Sequence, residues 1–229
     1  MVEALESSLS ALYTTRKVFL EEKVDIGKWA ALFKVSNRNK YPLVKLDDIA
    51  DRGSGHTPSK SFPNYWNGGI KWVSLQDSRS LDNIYLNDTA QNISELGVQN
   101  SSATVHPKGT VVVCRDASIG MAAILDDDMA VSQHFISWTC SDKLYPLFLY
   151  YWLQRMKPVM EAIAIGSTIK TIGMGFFEKL EIPLPNFENQ VKIAESLKNI
   201  DLMINKLELS QSLQRNFQTC LSSDMLKGK

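Results

Sequence analysis

Cysteine is scarce in this sequence, and charge of one sign is not in excess. The 229 residues include three cysteines, Cys114, Cys140 and Cys220, without the paired spacing of a zinc site or a disulfide framework. Reduced, structural thiols are expected. Twenty-five basic residues offset 25 acidic ones, so no global positive field advertises a polyanionic partner, and any nucleic-acid contact has to come from a local surface. No uninterrupted apolar run approaches the ~18 residues that span a bilayer, and the N-terminal residues lack the charged-then-apolar order of a secretion signal. A cytoplasmic location without membrane association is therefore expected.

Catalytic signatures are missing as well. An adenine or cytosine-N4 methyltransferase needs an Asn/Asp-Pro-Pro-aromatic tetrapeptide and a glycine-rich cofactor loop, and neither occurs. Glu21-Glu22-Lys23 contains the Glu-x-Lys fragment of a nuclease, but it lies in a helical pattern with no upstream Asp to complete a magnesium site. Asp126-Asp127-Asp128 reads as a solvated turn, because adjacent carboxylates cannot converge on one ion without other ligands. His56, His106 and His134 show neither ligand spacing nor a nearby nucleophile motif, and surface or loop positions are expected for all three. The expectation is a chain with no catalytic residue, no cofactor and no metal.

What is present begins with periodicity. Leu5, Leu9, Leu12 and Phe19 recur at helical steps, with Arg16 on the same seam, which predicts an amphipathic helix over 2–24. The polar stretch Ser36-Asn37-Arg38-Asn39-Lys40 and then Tyr41-Pro42 end that regime. Between 41 and 140 the texture becomes short β-branched and aromatic runs, at 70–74, 110–114, 122–125 and 135–138, punctuated by glycine and proline. Residues 145–153 predict a buried helix with Pro146 in its first turn and Pro158 ending or kinking it, so Tyr150, Tyr151 and Trp152 are expected in the core rather than stacked on bases. After Ile182-Pro183-Leu184-Pro185 the helical period returns. Ile193, Leu197, Ile200, Ile204 and Leu207 form a seam that runs on less cleanly through Leu213, Phe217 and Leu221. At ~1.5 Å per residue a helix over 188–225 is about 55–60 Å long, more than a small domain needs. It is expected to pair with another helix, the N-terminal one being the nearest candidate.

Three loops collect groups suited to phosphates and base edges. Ser54, His56, Thr57, Ser59 and Lys60 surround the flexible Gly55, while Ser74, Gln76 and Arg79 follow a strand. Ser167, Thr168 and Lys170 follow Gly166 after the aromatic helix. Hydroxyls, lysines and backbone N–H groups fix a protein on the sugar-phosphate chain, whereas Gln, Arg and His read base edges through paired hydrogen bonds.

The order of motifs resembles one family. Residues 41–50 look like the start of the target recognition domain of a type I restriction-modification specificity subunit. They are followed in the family's order by 53–59, 65–74, 97–103, 107–111, Arg115-Asp116-Ala117-Ser118-Ile119-Gly120, Ala130-Val131-Ser132-Gln133, the 166–168 loop, and 182–185 leading to 188–193. Asp116 departs from the family's usual Arg-Ala-Ser-Ile-Gly run. The family's usual subunit is about twice this length and has two recognition domains. The resemblance implies an α+β protein: an N-terminal helix and linker (1–40), one mixed strand-rich recognition domain (41–185) and a long C-terminal helix (186–229). The helices pair in a coiled-coil-like manner, acting as a ruler and a docking surface. It also implies that the domain reads one half of a bipartite target in double-stranded DNA, with Arg115 and Gln133 joining the loop residues above. Its expected partners are methyltransferase subunits and, through them, a restriction subunit. A homodimer is expected to restore the second half, with Ile193, Leu197, Ile200, Ile204 and Leu207 meeting Leu5, Leu9 and Leu12. A helix-mediated scaffold or inhibitor with a degenerate domain, and a recognition module of a split restriction-methylation enzyme, remain alternatives.

Overall fold

The computed structural model describes residues 2–27 and 41–227, with side chains described from 4 to 219 except Arg79 and Asp82. The expected linker residues Ser36 to Lys40 lie outside the described residues, as do the side chains of Cys220 and Leu221. The chain divides into two compact units, one of residues 1–24 with 192–229 and one of residues 25–191.

The first unit is helical. Helix α1 spans Val2–Lys23. The C-terminal helix, α5, spans Phe187–Lys227, and the unit holds its part from Lys192 onward. Cross-helix pairs set them antiparallel: Arg215 Nη2 lies 3.4 Å from Glu6 Oε1, Tyr13 donates to Glu208, and Arg16 pairs with Asp201. The N-terminal helix is thus the partner of α5 within one chain. Leu5, Leu9 and Leu12 are half-buried on α1; on α5, Ile193, Leu197 and Ile204 are buried, with Ile200 and Leu207 half-buried. That seam is engaged inside the chain, so a second copy would need a different surface.

The second unit is mixed. Its strands, in chain order, are β1 (Leu43–Lys45), β2 (Ala50–Ser54), β3 (Trp66–Val73), β4 (Tyr85–Leu86), β5 (Gln91–Ile93), β6 (Val105–His106), β7 (Val111–Cys114), β8 (Ala122–Leu125), β9 (Met129–Val131), β10 (Phe135–Cys140) and β11 (Glu181–Pro183), with helices α2 (Glu95–Gln99), α3 (Pro146–Ile163) and α4 (Met174–Phe177) between them. They form a five-stranded sheet in the order β2-β10-β7-β8-β4, a four-stranded sheet in the order β5-β3-β9-β6, and a two-stranded ribbon of β1 with β11. The runs expected as strands fall in β3, β7, β8 and β10. Val111 to Cys114 are buried on both faces of β7, which is why that stretch reads as a continuous apolar run instead of an alternating one.

The core joins the two larger sheets. Val73, Val131 and Met129 from one meet Val112, Cys114, Ala123, Leu125 and Phe135 from the other, with Leu81 and Leu86 closing the side. Helix α3 begins with Pro146 at its first positions and carries Pro158 inside, and Leu147 to Leu153 are buried all around it. A helix apolar on every side belongs in a core, and Tyr150, Tyr151 and Trp152 lie there accordingly.

Candidate nucleic-acid interface

The loop after β2 is fixed from beneath. Gly55 passes so close to β9 that a Cβ there would lie 1.7 Å from the Val131 carbonyl oxygen, so only glycine allows the approach. Trp72 Nε1 donates to the His56 carbonyl at 3.1 Å, and Ser54 Oγ donates to the Phe135 carbonyl at 2.8 Å. Beyond these anchors His56, Ser59 and Lys60 are exposed and Thr57 is half-exposed. His56, Thr57 and Ser59 share an open polar recess of about 650 Å³ with Gln99, Asn100, Ser101 and Ser102.

His106 is not a surface histidine. It is 6% exposed and lies under Gly53, where a Cβ would come within 2.6 Å of its Cε1. Its Nε2 is 3.3 Å from the Ser54 carbonyl, and burial lowers its pKa against that hydrogen bond. A neutral ring beneath the loop follows. Cys114 and Cys140 are similar: burial pushes their thiols up to about 11 and about 12, so they stay protonated and inert.

Ser74 is also committed. It is buried and caps the 3₁₀ turn Leu75–Asp82, its hydroxyl accepting from the Gln76 N–H while Asp77 accepts from the Ser74 N–H. Gln76 is exposed; the Arg79 side chain lies outside the described residues. Ser78 of the same turn lines a recess of about 500 Å³ with Ala117, Ser118, Lys157, Glu161 and Lys170.

The other expected residues converge. Residues 165–171 form a hairpin closed by reciprocal backbone bonds between Ile165 and Thr171, at 3.0 and 2.9 Å. Gly166 turns it at φ 138, and Ser167, Thr168 and Lys170 are exposed along it. Ile165 and Ile169 stand 79% and 61% exposed on the same hairpin. It docks on the loop after β7: Ala117, in the left-handed region at φ 57, donates to the Lys170 carbonyl at 3.1 Å, and Ile172 donates to the Arg115 carbonyl at 3.0 Å. Arg115 Nε donates to the Ile172 carbonyl at 2.9 Å, so that group is spent on the hairpin.

Asp116, which in the sequence is only a departure from the family's usual run, is the hub. Its carboxylate accepts from Thr171 and lies 2.8 Å from His134 Nδ1. His134 Nε2 is 3.5 Å from Gln133 Nε2, and Gln133 Oε1 accepts from Thr57 at 2.7 Å. One line of side chains therefore crosses from the 54–60 loop through 133–134 and 115–117 to the hairpin. A signal for it existed in the departure from the Arg-Ala-Ser-Ile-Gly run, since an extra carboxylate beside a semi-buried His has to find partners.

Charge is arranged locally. Lys71 is paired with Asp127 at 3.0 Å and Lys108 with Asp126 at 2.9 Å, so the Asp126–Asp128 turn neutralises lysines away from the converging loops. Lys60 and Lys170 have no carboxylate partner among the described residues and keep their charge available to a phosphate.

A mixed-sheet domain thus gathers polar loops around a side-chain network and is followed along the chain by a long paired helix. The family model for the type I restriction modification DNA specificity domain matches residues 39–215, more than half of the chain, and the chain belongs to that family. The MjaIX type I restriction enzyme specificity subunit of Methanocaldococcus jannaschii is 31% identical over 195 residues, covering 82% of this chain and 45% of that protein. The Escherichia coli EcoR124I/EcoR124II specificity subunit is 26% identical over 176 residues, 71% of this chain and 41% of its own length. The crystal structure of the HsdS subunit from Thermoanaerobacter tengcongensis matches with a TM-score of 0.69 at 18% identity, over 92% of this chain and 48% of that one. The chain thus spans about half the length of these relatives.

Proposed function

We propose that the recognition domain, residues 41–185, binds double-stranded DNA through the converging loops and reads one half of a bipartite target. The observation that carries this reading is the side-chain line Thr57, Gln133, His134, Asp116 and Thr171, which ties four loops together in a domain of this family. The tied loops present base-reading amides beside cations and hydroxyls suited to phosphate. Near-neutral charge is compatible with a subunit whose partners supply part of the electrostatic grip. Those partners, on this reading, are methyltransferase subunits docked on the helical unit and, through them, a restriction subunit.

Two copies associate through the outer face of α5. Leu202, Leu209, Leu213 and Phe217 are 47 to 63% exposed, and at about 100° per residue they fall within an arc of about 80°. Ile204 and Leu207 lie on the opposite side and are engaged within the chain. Leu202, Leu209, Leu213 and Phe217, with Lys206 between them, form a stripe over 202–217 of the 41-residue helix that faces its own copy about a two-fold axis. Two identical domains so related prefer an interrupted palindrome.

Selection from a random duplex pool, with and without a methyltransferase subunit, tests the reading together with light scattering of the wild type and of a Leu209→Asp/Leu213→Asp variant. An interrupted palindrome and a dimer lost in the variant are expected. Selection of no sequence would leave a scaffold or inhibitor, and a non-palindromic site would remove the symmetric dimer.

A further inference from the structure

We propose that Gln133 reads an adenine in the half-site, with its side-chain amide held between Thr57 on one side and the Asp116–His134 pair on the other. This rests on the reading of the loop cluster as a DNA interface.

A glutamine amide is ambiguous as a reader, because a half-turn about its last bond exchanges donor for acceptor. Here both ends are engaged. The Asp116 carboxylate only accepts, so His134 Nδ1, 2.8 Å away, carries a hydrogen and the ring is held with Nε2 toward Gln133. Gln133 Nε2 lies 3.5 Å from that nitrogen. At the other end the Thr57 hydroxyl donates to Gln133 Oε1 at 2.7 Å. Whichever way round the amide sits, the hydroxyl and the imidazole take one valence from each end of it. Asp116 is itself held, since Thr171 donates to its carboxylate while its carbonyl accepts from Cys114 Sγ at 2.9 Å and the Ser118 N–H at 2.6 Å.

After these bonds Gln133, which is exposed, retains one N–H and one oxygen lone pair. In the major groove adenine offers the matching acceptor at N7 beside a donor at N6, whereas guanine offers two acceptors, cytosine a donor and thymine an acceptor. The remaining valences of the amide therefore pair fully with adenine alone. Thr57, His134 and Asp116 are positioning residues in this scheme.

The test is site selection and sequencing with the full chain, alone and with a methyltransferase subunit, for the wild type, Gln133→Ala, Gln133→Glu, Thr57→Ser, Thr57→Val and Asp116→Asn. The wild type should require adenine at one half-site position. Gln133→Ala should lower discrimination there by roughly ten- to hundredfold and leave the other positions alone. Gln133→Glu, which only accepts, should shift that position toward cytosine. Thr57→Ser should keep the preference, and Thr57→Val and Asp116→Asn should relax it at the same position. An unchanged Gln133→Ala site, or a loss spread over all positions, would overturn the assignment while leaving DNA recognition intact. If the wild type enriches no sequence, DNA recognition itself falls and the assignment falls with it.

Discussion

In the unit of residues 25–191 a set of large side chains is sealed: Trp138, Trp152, Tyr151, Phe135, Phe148 and Phe177 are each less than 2% exposed. In the helical unit Leu209, Leu213 and Phe217 are 62%, 60% and 63% exposed, and the links between α1 and α5 include exposed polar pairs such as Glu6 with Arg215. One unit holds a sealed aromatic core beside exposed residues such as Ile165 and Ile169; the other leaves an apolar stripe of its long helix in water. Stability is therefore concentrated in the unit with the sealed core, and the exposed stripe adds little to folding.

The largest expected effect sharpens that contrast. Trp138 is fully buried with its ring 6.0 Å from that of Phe177, and Trp138→Ala should cost about 3–5 kcal/mol in urea denaturation. A loss below about 1 kcal/mol would break the comparison, because surface-like positions behave that way. Next comes Gly55→Ala, which sets a Cβ against a backbone carbonyl at 1.7 Å. The backbone cannot yield as a side chain does, and a cost of about 1–3 kcal/mol is expected, read in the same assay.

A third effect is pH-dependent. Burial depresses the pKa of His106 in the folded state from its ordinary 6.5, so below pH 6.5 the unfolded chain takes up the proton first. Stability conferred by the neutral ring is full above that pH and declines as the pH falls toward the folded-state value. Denaturation midpoints measured from pH 7.5 to 5.5 should fall, and His106→Gln should flatten that part of the profile. A wild-type midpoint that does not fall would contradict a buried neutral ring. The smallest effects belong to the helices: Leu213→Asp and Arg215→Ala should each change folding stability by no more than about 0.5 kcal/mol. A larger loss from either would show that the helical unit is as tightly built as the globular one.

Local regularities were legible in the sequence. The change from helical period to short β-branched runs, the aromatic helix opening at Pro146 and the long α5 all follow from nearest-neighbour patterning. Strand partners were not, because β9 runs parallel to β3 across nearly sixty residues of chain, from Lys71↔Met129 to Val73↔Val131, and no local period encodes such a pairing. The same distance hid the site's frame. Ser74 stood out by its chemistry as a DNA contact, but its hydroxyl caps a turn; His106 looked like a loop histidine because the glycine that admits it, Gly53, is far away in sequence. Thr57 and Gln133 were identified singly, and their joining through His134 and Asp116 depends on loops contributed by three separate strands.

The ribbon of β1 and β11 carries one more consequence. Leu43 pairs with Pro183, Val44 with Ile182 and Lys45 with Glu181, and the Leu184 N–H donates to the Pro42 carbonyl at 2.9 Å, so the polypeptide enters and leaves the domain through one doorway. A segment whose ends are stitched to each other can be exchanged as a cassette, or repeated in tandem, without orphaning a strand elsewhere. Replacing residues 43–183 as one piece would leave the helical segments on either side unaltered.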